Sequence, residues 1–548
     1  MTVWRGFAES LRAFGSVFAN PNLRRLQVAG LGSTVGSWIY GVAIAVYAYH
    51  VGGAKLVGLL YFARWGAAAL GAPWIGLLAD RLPRRRVMVA ADLVRAALMA
   101  GMAALAAGGQ GIWPIFGLAV LSTITSSAFG PAQGALLPSL VETPEELTAA
   151  NAVMNTIASV GMFAGPALAG LLLATTSIWV VFTITAGTYL WSALCLLRIP
   201  PDARPAESGP ARIAAELFAG FRAIWSHPAL RVVVGLTAAQ TLVAGASEVL
   251  LVVLALNLLH AGSGGVGWLN ATTGIGAVLG VLAVGALAGR RRLAGDLGIG
   301  VLLWGVPLAL SAVWVNLPFA LVLFGVIGLG NTLVDVASMT LLQRSADDAV
   351  LGRVFAVLEG LVFGTLALGA VVTPGIVSLL GAKASLVVTG LFLPVLLVPI
   401  WPMLRRVDAA ARVPTEPLEL LRAIPMFSLL PPTVLERLAS AAAEVHVPAM
   451  SEVFGQGEPG DRFYVISDGT ATVEIDGAEA STLGPGDFFG EIALLREVPR
   501  TATVRAVQDL RLFAIERDDF IAAVTGHAPS REAADSVVAA RLPAGAAL

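Results

Sequence analysis

The chain has 548 residues, 57% of them hydrophobic and only 13% charged, with a mean hydropathy of +0.80. A soluble chain carries roughly a quarter charged residues, so most of this one must be solvated by lipid. A single cysteine, Cys195, excludes a disulfide framework and a cysteine zinc site; the only two lysines, Lys55 and Lys383, precede Leu56 and Ala384 and so exclude a G-x-x-x-x-G-K-[ST] phosphate loop.

The net charge of −1 conceals an asymmetry. Residues 1–406 hold 24 basic and 15 acidic residues, a balance of +9, while residues 407–548 hold 11 and 21, a balance of −10. This divides the chain into a basic apolar part and an acidic soluble part, which should attract within a Debye length. Along the first part, apolar runs of roughly 20 residues predict spanning helices near 26–49, 56–78, 87–108, 112–137, 150–174, 178–198, 230–258, 265–289, 296–315, 318–342, 353–380 and 384–404. Arg24 and Arg25 abut the first run, so no cleavable leader is expected. Arginines outside the spans fall on one side, from Arg5 to Arg406, and the other side receives Lys55 and Lys383. The positive-inside rule then places both termini, and everything after Arg406, in the cytoplasm of a plasma (inner) membrane protein.

A period near 208 relates two halves. Asn20-Pro21-Asn22-Leu23-Arg24 answers to His227-Pro228-Ala229-Leu230-Arg231, Gly76 to Arg81 answers to Gly285 to Arg290, and Pro166 answers to Pro374. Each half is preceded by an amphipathic segment: Trp4, Phe7, Leu11, Phe14 and Phe18 in one, Ile213, Leu217, Phe221 and Trp225 in the other. These are expected to lie on the inner leaflet. Six spans per repeat keep the halves parallel, an arrangement that places a substrate site between two bundles.

The string Gly76-x-Leu78-Ala79-Asp80-Arg81-x-x-Arg84-Arg85 resembles motif A of the major facilitator superfamily, with Pro83 where that motif has its second glycine. Gly161-x-x-x-Gly165-Pro166-x-x-x-Gly170 resembles the superfamily's antiporter motif C. With Asp92-Leu93-Val94-Arg95, the order of motifs is similar to the drug and siderophore exporter branch, which often carries an acid where this chain has Ser37. The resemblance implies a major facilitator fold over about residues 20–404 and export of a small amphipathic solute, with protons as a candidate coupling ion. Glycines of this spacing also serve close helix packing.

Charges within the spans carry the remaining information, because each costs several kcal/mol near mid-bilayer unless paired or facing water (~2.5–3.5 on insertion scales). Glu248 and Arg64 fall closest to mid-depth, as a proton or substrate site with its counter-charge or as a static ion pair bridging the bundles. Trp38 and Tyr40 are further cavity candidates; Tyr47, Tyr49, His50 and His260 read as interfacial. Asp80, Arg81, Arg84, Asp92, Arg95, Asp335 and Glu359 are expected in a cytoplasmic gate network.

Beyond a linker with Pro414 and Pro417, a helical stretch from Leu418 to Ala443 precedes short β-strands broken by Gly-rich turns, and a last helix is expected over Ser530–Leu542. Phe489-Gly490-Glu491-Ile492-Ala493-Leu494-Leu495 followed by Pro499-Arg500-Thr501-Ala502 resembles the phosphate-binding cassette of cyclic-nucleotide-binding domains. A cyclic phosphate is a monoanion that the Arg500 fork fits. Gly490 permits close approach, the backbone N–H groups of Ile492 and Ala493 open a helical turn, Glu491 can accept from a ribose hydroxyl, and Thr501 can donate. cAMP is favoured over cGMP. A β-roll that keeps the shape and binds nothing is the alternative.

The domains expected are therefore an N-terminal bundle (1–199), an inter-bundle loop (200–228), a C-terminal bundle (229–404), a linker (405–417) and a nucleotide-binding domain (418–548). The function expected is secondary transport regulated by a cyclic nucleotide, with no enzymatic activity, metal, ATP site or nucleic-acid partner. A membrane receptor that no longer transports, and an exporter of the nucleotide itself, are the competing readings. A gated channel would need a pore filter, and a transcription factor a helix-turn-helix that Ser530–Leu548 is too short to supply.

Overall fold

In the computed structural model, the backbone is described for residues 15, 17–141, 143–202, 213–286, 293–345, 348–410 and 415–541; side chains are not described at 72–81, 144–145, 213–217, 219, 284–286, 344–345, 348–350, 407–410, 432–433, 528 and 540. The chain forms two units, Met1–Ala410 and Ala411–Leu548.

In lipid every backbone polar group must be satisfied within its own segment, and the apolar runs accordingly become helices. Helix α1 (Pro21–Arg81) starts at Asn20, whose side chain accepts from the N–H groups of Asn22 and Leu23, and breaks at Gly52–Gly53. Gly53 adopts φ 61°, ψ −155°, a region open essentially to glycine, so the chain reverses without a loop and 21–51 and 54–81 act as separate spans. There follow α2 (Arg84–Ala107), α3 (Ile112–Ser126), α4 (Phe129–Leu136), α5 (Pro144–Thr175), α6 (Ile178–Leu197), α7 (Ile213–Ser226) and α8 (Pro228–Val253), which continues as a π-turn over Leu254–Leu258. The rest are α9 (Gly262–Ala286), α10 (Leu293–Leu310), α11 (Leu317–Ser345), α12 (Asp348–Leu380) and α13 (Ala382–Ala410). Among the described residues eleven helical segments are long and apolar enough to cross a membrane. The first comprises two arms, so this is the expected polytopic α-helical architecture of about twelve spans.

The expected fourth span is interrupted. Thr125, Ser126 and Ser127 turn their hydroxyls back onto the carbonyls of Leu121, Thr123 and Ile124, and α3 ends there, with α4 starting at Phe129. Such back-bonding competes with the helical ladder.

The two halves repeat their packing: α2 lies on α6 in the first as α10 lies on α13 in the second, and the halves meet through α5 on α9 and α1 on α12. Motif C takes part directly. A Cβ on Gly170 would lie 2.9 Å from the Gly264 carbonyl oxygen and 3.2 Å from Gly267 Cα, so α5 and α9 touch backbone to backbone. The N-terminal amphipathic residues up to Phe14, the repeat partners at 287–290 and residues 203–212 of the inter-bundle loop lie outside the described residues, and so do the side chains of Ile213 and Leu217. Helix α7 buries Ile224 and exposes Phe218, Phe221 and Trp225.

The second unit opens with α14 (Thr415–Ala423), α15 (Pro425–Ser428) and α16 (Pro432–Ala441). One helix was expected there, but Pro425 and Pro432 each start a new one, since proline cannot continue the donor ladder. Strands β1 (Ala443–Val447), β2 (Glu452–Phe454), β3 (Arg462–Asp468), β4 (Ala471–Ile475), β5 (Ala478–Leu483), β6 (Phe488–Phe489), β7 (Thr503–Ala506) and β8 (Leu510–Glu516) make two antiparallel sheets, ordered β1-β8-β3-β6 and β2-β7-β4-β5. Helix α17 (Glu491–Arg496) follows β6, and α18 (Arg517–Thr525) and α19 (Ala528–Arg541) close the unit. Successive strand residues face opposite ways: Phe463 packs with Phe427 and Phe520 under the helices, whereas Tyr464 turns into the roll against Phe489.

Candidate functional site

All eight cassette residues picked from the sequence, Phe489 to Ala493 and Arg500 to Ala502, line one cavity of about 340 Å³. The β6–α17 corner makes this possible. Gly490 stands at φ 92°, ψ −4°, just before Glu491 opens α17. A Cβ there would lie 2.7 Å from Arg500 Nη1 and 2.9 Å from the Arg462 carbonyl oxygen, so only glycine lets the guanidinium pass. Ile492 and Ala493, in the first turn of α17, line the cavity, and N–H groups in a first helical turn have no intrahelical acceptors.

Arg500 is held from all sides. Its Nη1 donates to the Gly490 carbonyl at 3.1 Å, and its Nη2 to the Arg462 carbonyl at 2.8 Å and to Asp461 Oδ1 at 3.1 Å. The guanidinium lies 4.0 Å over the Phe454 ring, and its backbone is clamped to Gly457 and Glu458. The turn Gly457 to Asp461, legible in the sequence as a loop, is thus part of the site. Burial pulls the Arg500 guanidinium below its ordinary pKa, opposed by Tyr464 and Asp461. Its Nε is buried without a partner.

Glu491 is 1% exposed. One carboxylate oxygen, Oε1, accepts from Arg541 Nη1 at 2.9 Å, while Oε2 is buried without a partner. Arg541, on the last turn of α19, also donates to the Phe488 carbonyl at 2.8 Å and lies 4.2 Å over the Phe488 ring. The terminal helix was expected to close over the site without a named capping residue; its last described residue, Arg541, lines the cavity. Leu542, expected as its apolar end, lies outside the described residues. The remaining wall is apolar, with Val473, Ile475, Leu483 and Val504, and Ser481 at its edge. One side therefore offers a cation and backbone donors, one a carboxylate, and one an apolar face, which matches a molecule with an anionic group, hydroxyls and a flat ring.

Two residues that line one cavity, Glu491 and Arg500, thus each keep a buried polar atom without a partner among the described residues, an arrangement that is costly unless a partner is supplied. The Arg541 contact is the most accessible part: Arg541→Ala should weaken nucleotide binding about three- to tenfold by removing one charge-assisted contact around Glu491, read by isothermal titration of the full-length protein with cAMP.

In the first unit, Glu248 Oε2 accepts from Trp65 Nε1 at 2.8 Å, and Trp65 stacks on Phe363 with ring centroids 5.9 Å apart. Arg64 does not pair with Glu248. Its Nε donates to Thr123 Oγ1 at 3.0 Å and its guanidinium lies 5.0 Å from the centroid of Tyr40, whose hydroxyl donates to the Ala119 carbonyl at 3.4 Å. Of the two readings offered for this pair, the static ion pair is not formed among the described residues: Thr123 and the rings of Tyr40 and Tyr61 engage the guanidinium inside its own half. Trp38 packs against motif C: a Cβ on Gly165 would fall 2.4 Å from Trp38 Cβ. Gly161 packs likewise on Thr34, and Pro166 sits within α5 beside Gly267. His50 Nε2 lies 3.1 Å from Ser263 Oγ.

The residues expected in one gate network fall in separate places. Arg95 Nη1 bonds Asp92 at 3.2 Å and Ser33 at 2.8 Å, and Nη2 bonds Tyr189 at 2.7 Å and Ser37, all within the first half. Asp335 accepts from Asn331 at 2.8 Å, which in turn accepts from Trp304 and Gln240, all within the second. The Arg84 backbone N–H donates to Asp202 at 2.6 Å, and Glu359 is exposed on α12. The side chains of Asp80 and Arg81 lie outside the described residues. A buried charge is costly unless it finds partners, and here Arg95 finds Ser33, Ser37 and Tyr189 beside Asp92, and Asp335 finds Asn331, partners that carry no charge signal in the sequence.

Residues 27–258 match the family model of the Major Facilitator Superfamily, and residues 444–527 that of the cyclic nucleotide-binding domain. Over 102 residues the chain is 35% identical to a cAMP-dependent protein kinase regulatory subunit of Emericella nidulans, covering 18% of this chain and 25% of that one. It is 38% identical over 102 residues to the cyclic nucleotide-gated potassium channel mll3241 of Mesorhizobium japonicum, covering 19% and 28%. The chain thus spans about a quarter of the length of the curated relatives it matches. The solved regulatory domain of Toxoplasma gondii PKA with cAMP is 33% identical, with coverage of 20% and 44% and a TM-score of 0.20.

Proposed function

We propose that this chain, which joins a Major Facilitator Superfamily domain to a cyclic nucleotide-binding domain, is a secondary transporter whose flux is set by a cyclic nucleotide at the C-terminal site. The ligand favoured is cAMP, the cargo a small amphipathic solute moved outward, and the nucleotide site faces the cytoplasm with both termini. The observation that carries the regulatory reading is that Glu491 and Arg500 line one cavity and that each keeps one polar atom, Oε2 and Nε, without a partner among the described residues. A cyclic nucleotide supplies both: a 2′-hydroxyl donor for the carboxylate and phosphate oxygens for the guanidinium.

Arg541 gives the ligand a mechanical reach. It ends α19, which packs on α15 and α18, and α15 packs on α14 at the start of the unit. A ligand that changes how Arg541 holds Glu491 therefore shifts the helix through which the chain enters this unit. It biases transport only by its differential affinity for the two transport states. Arg64, Glu248, Trp38 and Tyr40 remain the transport-site candidates, and Asp80, Arg81, Arg84 and Glu359 the candidates for the gate.

The test is reconstitution of the full-length protein in proteoliposomes with fluorescent amphiphiles as cargo probes. Nucleotide should change the flux severalfold, and Arg500→Leu should remove the response while leaving basal flux. Intact nucleotide binding with no flux of any probe would favour the receptor reading, and accumulation of nucleotide in the vesicles the nucleotide-export reading.

A further inference from the structure

From the guanidinium groups gathered at the end of α6 we infer that the groove between α1 and α6 binds an anionic phospholipid by its headgroup. This needs only that the first unit spans a bilayer; it is independent of cargo and of nucleotide. Helix α6 ends at Leu197, where the last carbonyls of a helix have no intrahelical donors. Two arginines from other helices supply them. Arg25 of α1 donates from Nη1 to the Arg198 carbonyl at 2.7 Å. Arg85 of α2 donates from Nε to the Leu196 carbonyl at 3.1 Å and from Nη2 to the Leu197 carbonyl at 2.9 Å.

These bonds satisfy the helix end and leave a surplus of charge. A helix C-terminus carries about half an elementary negative charge, whereas Arg25, Arg85 and Arg198 are three full cations. Arg24, Arg84 and Arg86 adjoin them in the chain. Asp202 offsets one charge, its carboxylate accepting from the backbone N–H groups of Arg84 and Arg85 at 2.6 and 3.2 Å. Arg198 is exposed and its guanidinium takes no part in the capping bonds. Capping thus accounts for Arg25 and Arg85 but not for Arg198. Orienting the chain calls for positive charge on this side of the membrane, but not for its concentration at one groove.

Deeper in the bilayer the same groove is apolar. Helix α6 buries Thr185, Tyr189 and Ser192 toward its own half and exposes Trp191, Leu194 and Leu197 on its other face. Across the groove, a Cβ on Gly32 of α1 would lie 3.3 Å from Trp191 Cδ1, and the adjoining Leu31 is exposed. Trp191 is seven residues from Arg198, and Gly32 seven from Arg25, about 10 Å along each helix at 1.5 Å per residue. Cations at headgroup level are therefore followed by a surface for an acyl chain. Basic pockets between spanning helices suit anionic headgroups, and the guanidinium fork fits phosphate oxygens. A free phosphate would leave the apolar stripe unused, and a zwitterionic headgroup would bring a further cation to a cluster already in surplus.

Cys195, the chain's single cysteine, is free and half-buried, three residues before Arg198 and within electrostatic reach of both Arg198 and Arg25. It reports on the groove without engineering. Full-length protein, delipidated in dodecyl maltoside, is titrated with dioleoylphosphatidylglycerol while maleimide modification of Cys195 is followed by mass spectrometry. Phosphatidylglycerol should slow the reaction saturably, by about fivefold or more, and dioleoylphosphatidylcholine or inorganic phosphate by less than about twofold. Arg198 also acts on the thiol, so variants are compared by the half-protecting lipid concentration and not by the bare rate. Arg198→Gln should raise that concentration about tenfold, and Arg198→Lys, which keeps the charge and loses the fork, about threefold. Arg405→Gln with Arg406→Gln removes two exposed charges at the end of α13 and should leave it within about twofold. Native mass spectrometry of the same samples counts retained lipid directly, and should find phosphatidylglycerol preferred over phosphatidylcholine about tenfold or more. Equal retention of the two lipids, protection by inorganic phosphate to the same extent, or an equal loss in the α13 variant overturns the inference.

Discussion

Replacing Arg500 with Leu should reduce cAMP affinity by at least about thirtyfold, since removing one member of a buried hydrogen-bonded charge pair costs about 2–5 kcal/mol. The loss is large because nothing else in the cavity can substitute. Arg541 is engaged by Glu491 and the Phe488 carbonyl, and Arg462 by Glu516 at 2.8 Å. Arg500 also braces the unliganded domain through Gly490, Arg462 and Asp461, so the variant should melt earlier. Isothermal titration of folded protein, with Arg500→Lys as a companion, separates the two effects. Lysine restores the charge without the fork and should recover only part of the affinity. Tight cAMP binding by the folded Leu variant would refute the assignment of the phosphate subsite.

The second large effect is expected from Gly490→Ala. At φ 92° an L side chain is strained, which costs about 1–3 kcal/mol, and the new methyl would meet Arg500 Nη1 at 2.7 Å and the Arg462 carbonyl oxygen at 2.9 Å. The guanidinium must shift or the corner must open, so both nucleotide affinity and domain stability should fall, affinity by tenfold or more at about 1.4 kcal/mol per decade. Full-length protein with and without cAMP in a thermal-melt series reads both. Ligand-induced stabilisation equal to that of the native chain would show that the corner tolerates a side chain and that close approach at Gly490 is not needed.

These two predictions rest on residues that could be read in advance, and the reason is local. Gly490, Glu491 and Arg500 sit within one strand–turn–helix corner, where charge, backbone freedom and spacing are properties of a short stretch of chain. Arg541 could not be read in the same way. It is an ordinary cation at the end of an amphipathic helix, and only the return of α19 over β6 brings it to Glu491. Phe454 and Tyr464 were equally silent, because an aromatic residue in a strand becomes a platform for a guanidinium only when two sheets fold face to face.

The membrane part divides along the same line. Length and hydropathy settled that the first 400 or so residues form spanning helices, because a polar backbone in hydrocarbon has no other way to satisfy itself; the structure places the break between the first two expected spans at Gly52–Gly53. Which buried charges become partners was decided by packing alone. Arg64 and Glu248 attract at long range, yet Arg64 turns to a threonine and two tyrosine rings, Glu248 to an indole, and Asp92 and Arg95 close on serines within their own half. Hydropathy is a sum over a segment and survives without coordinates. A hydrogen bond depends on ångström distances between residues remote in the chain, and those exist only once the helices have met.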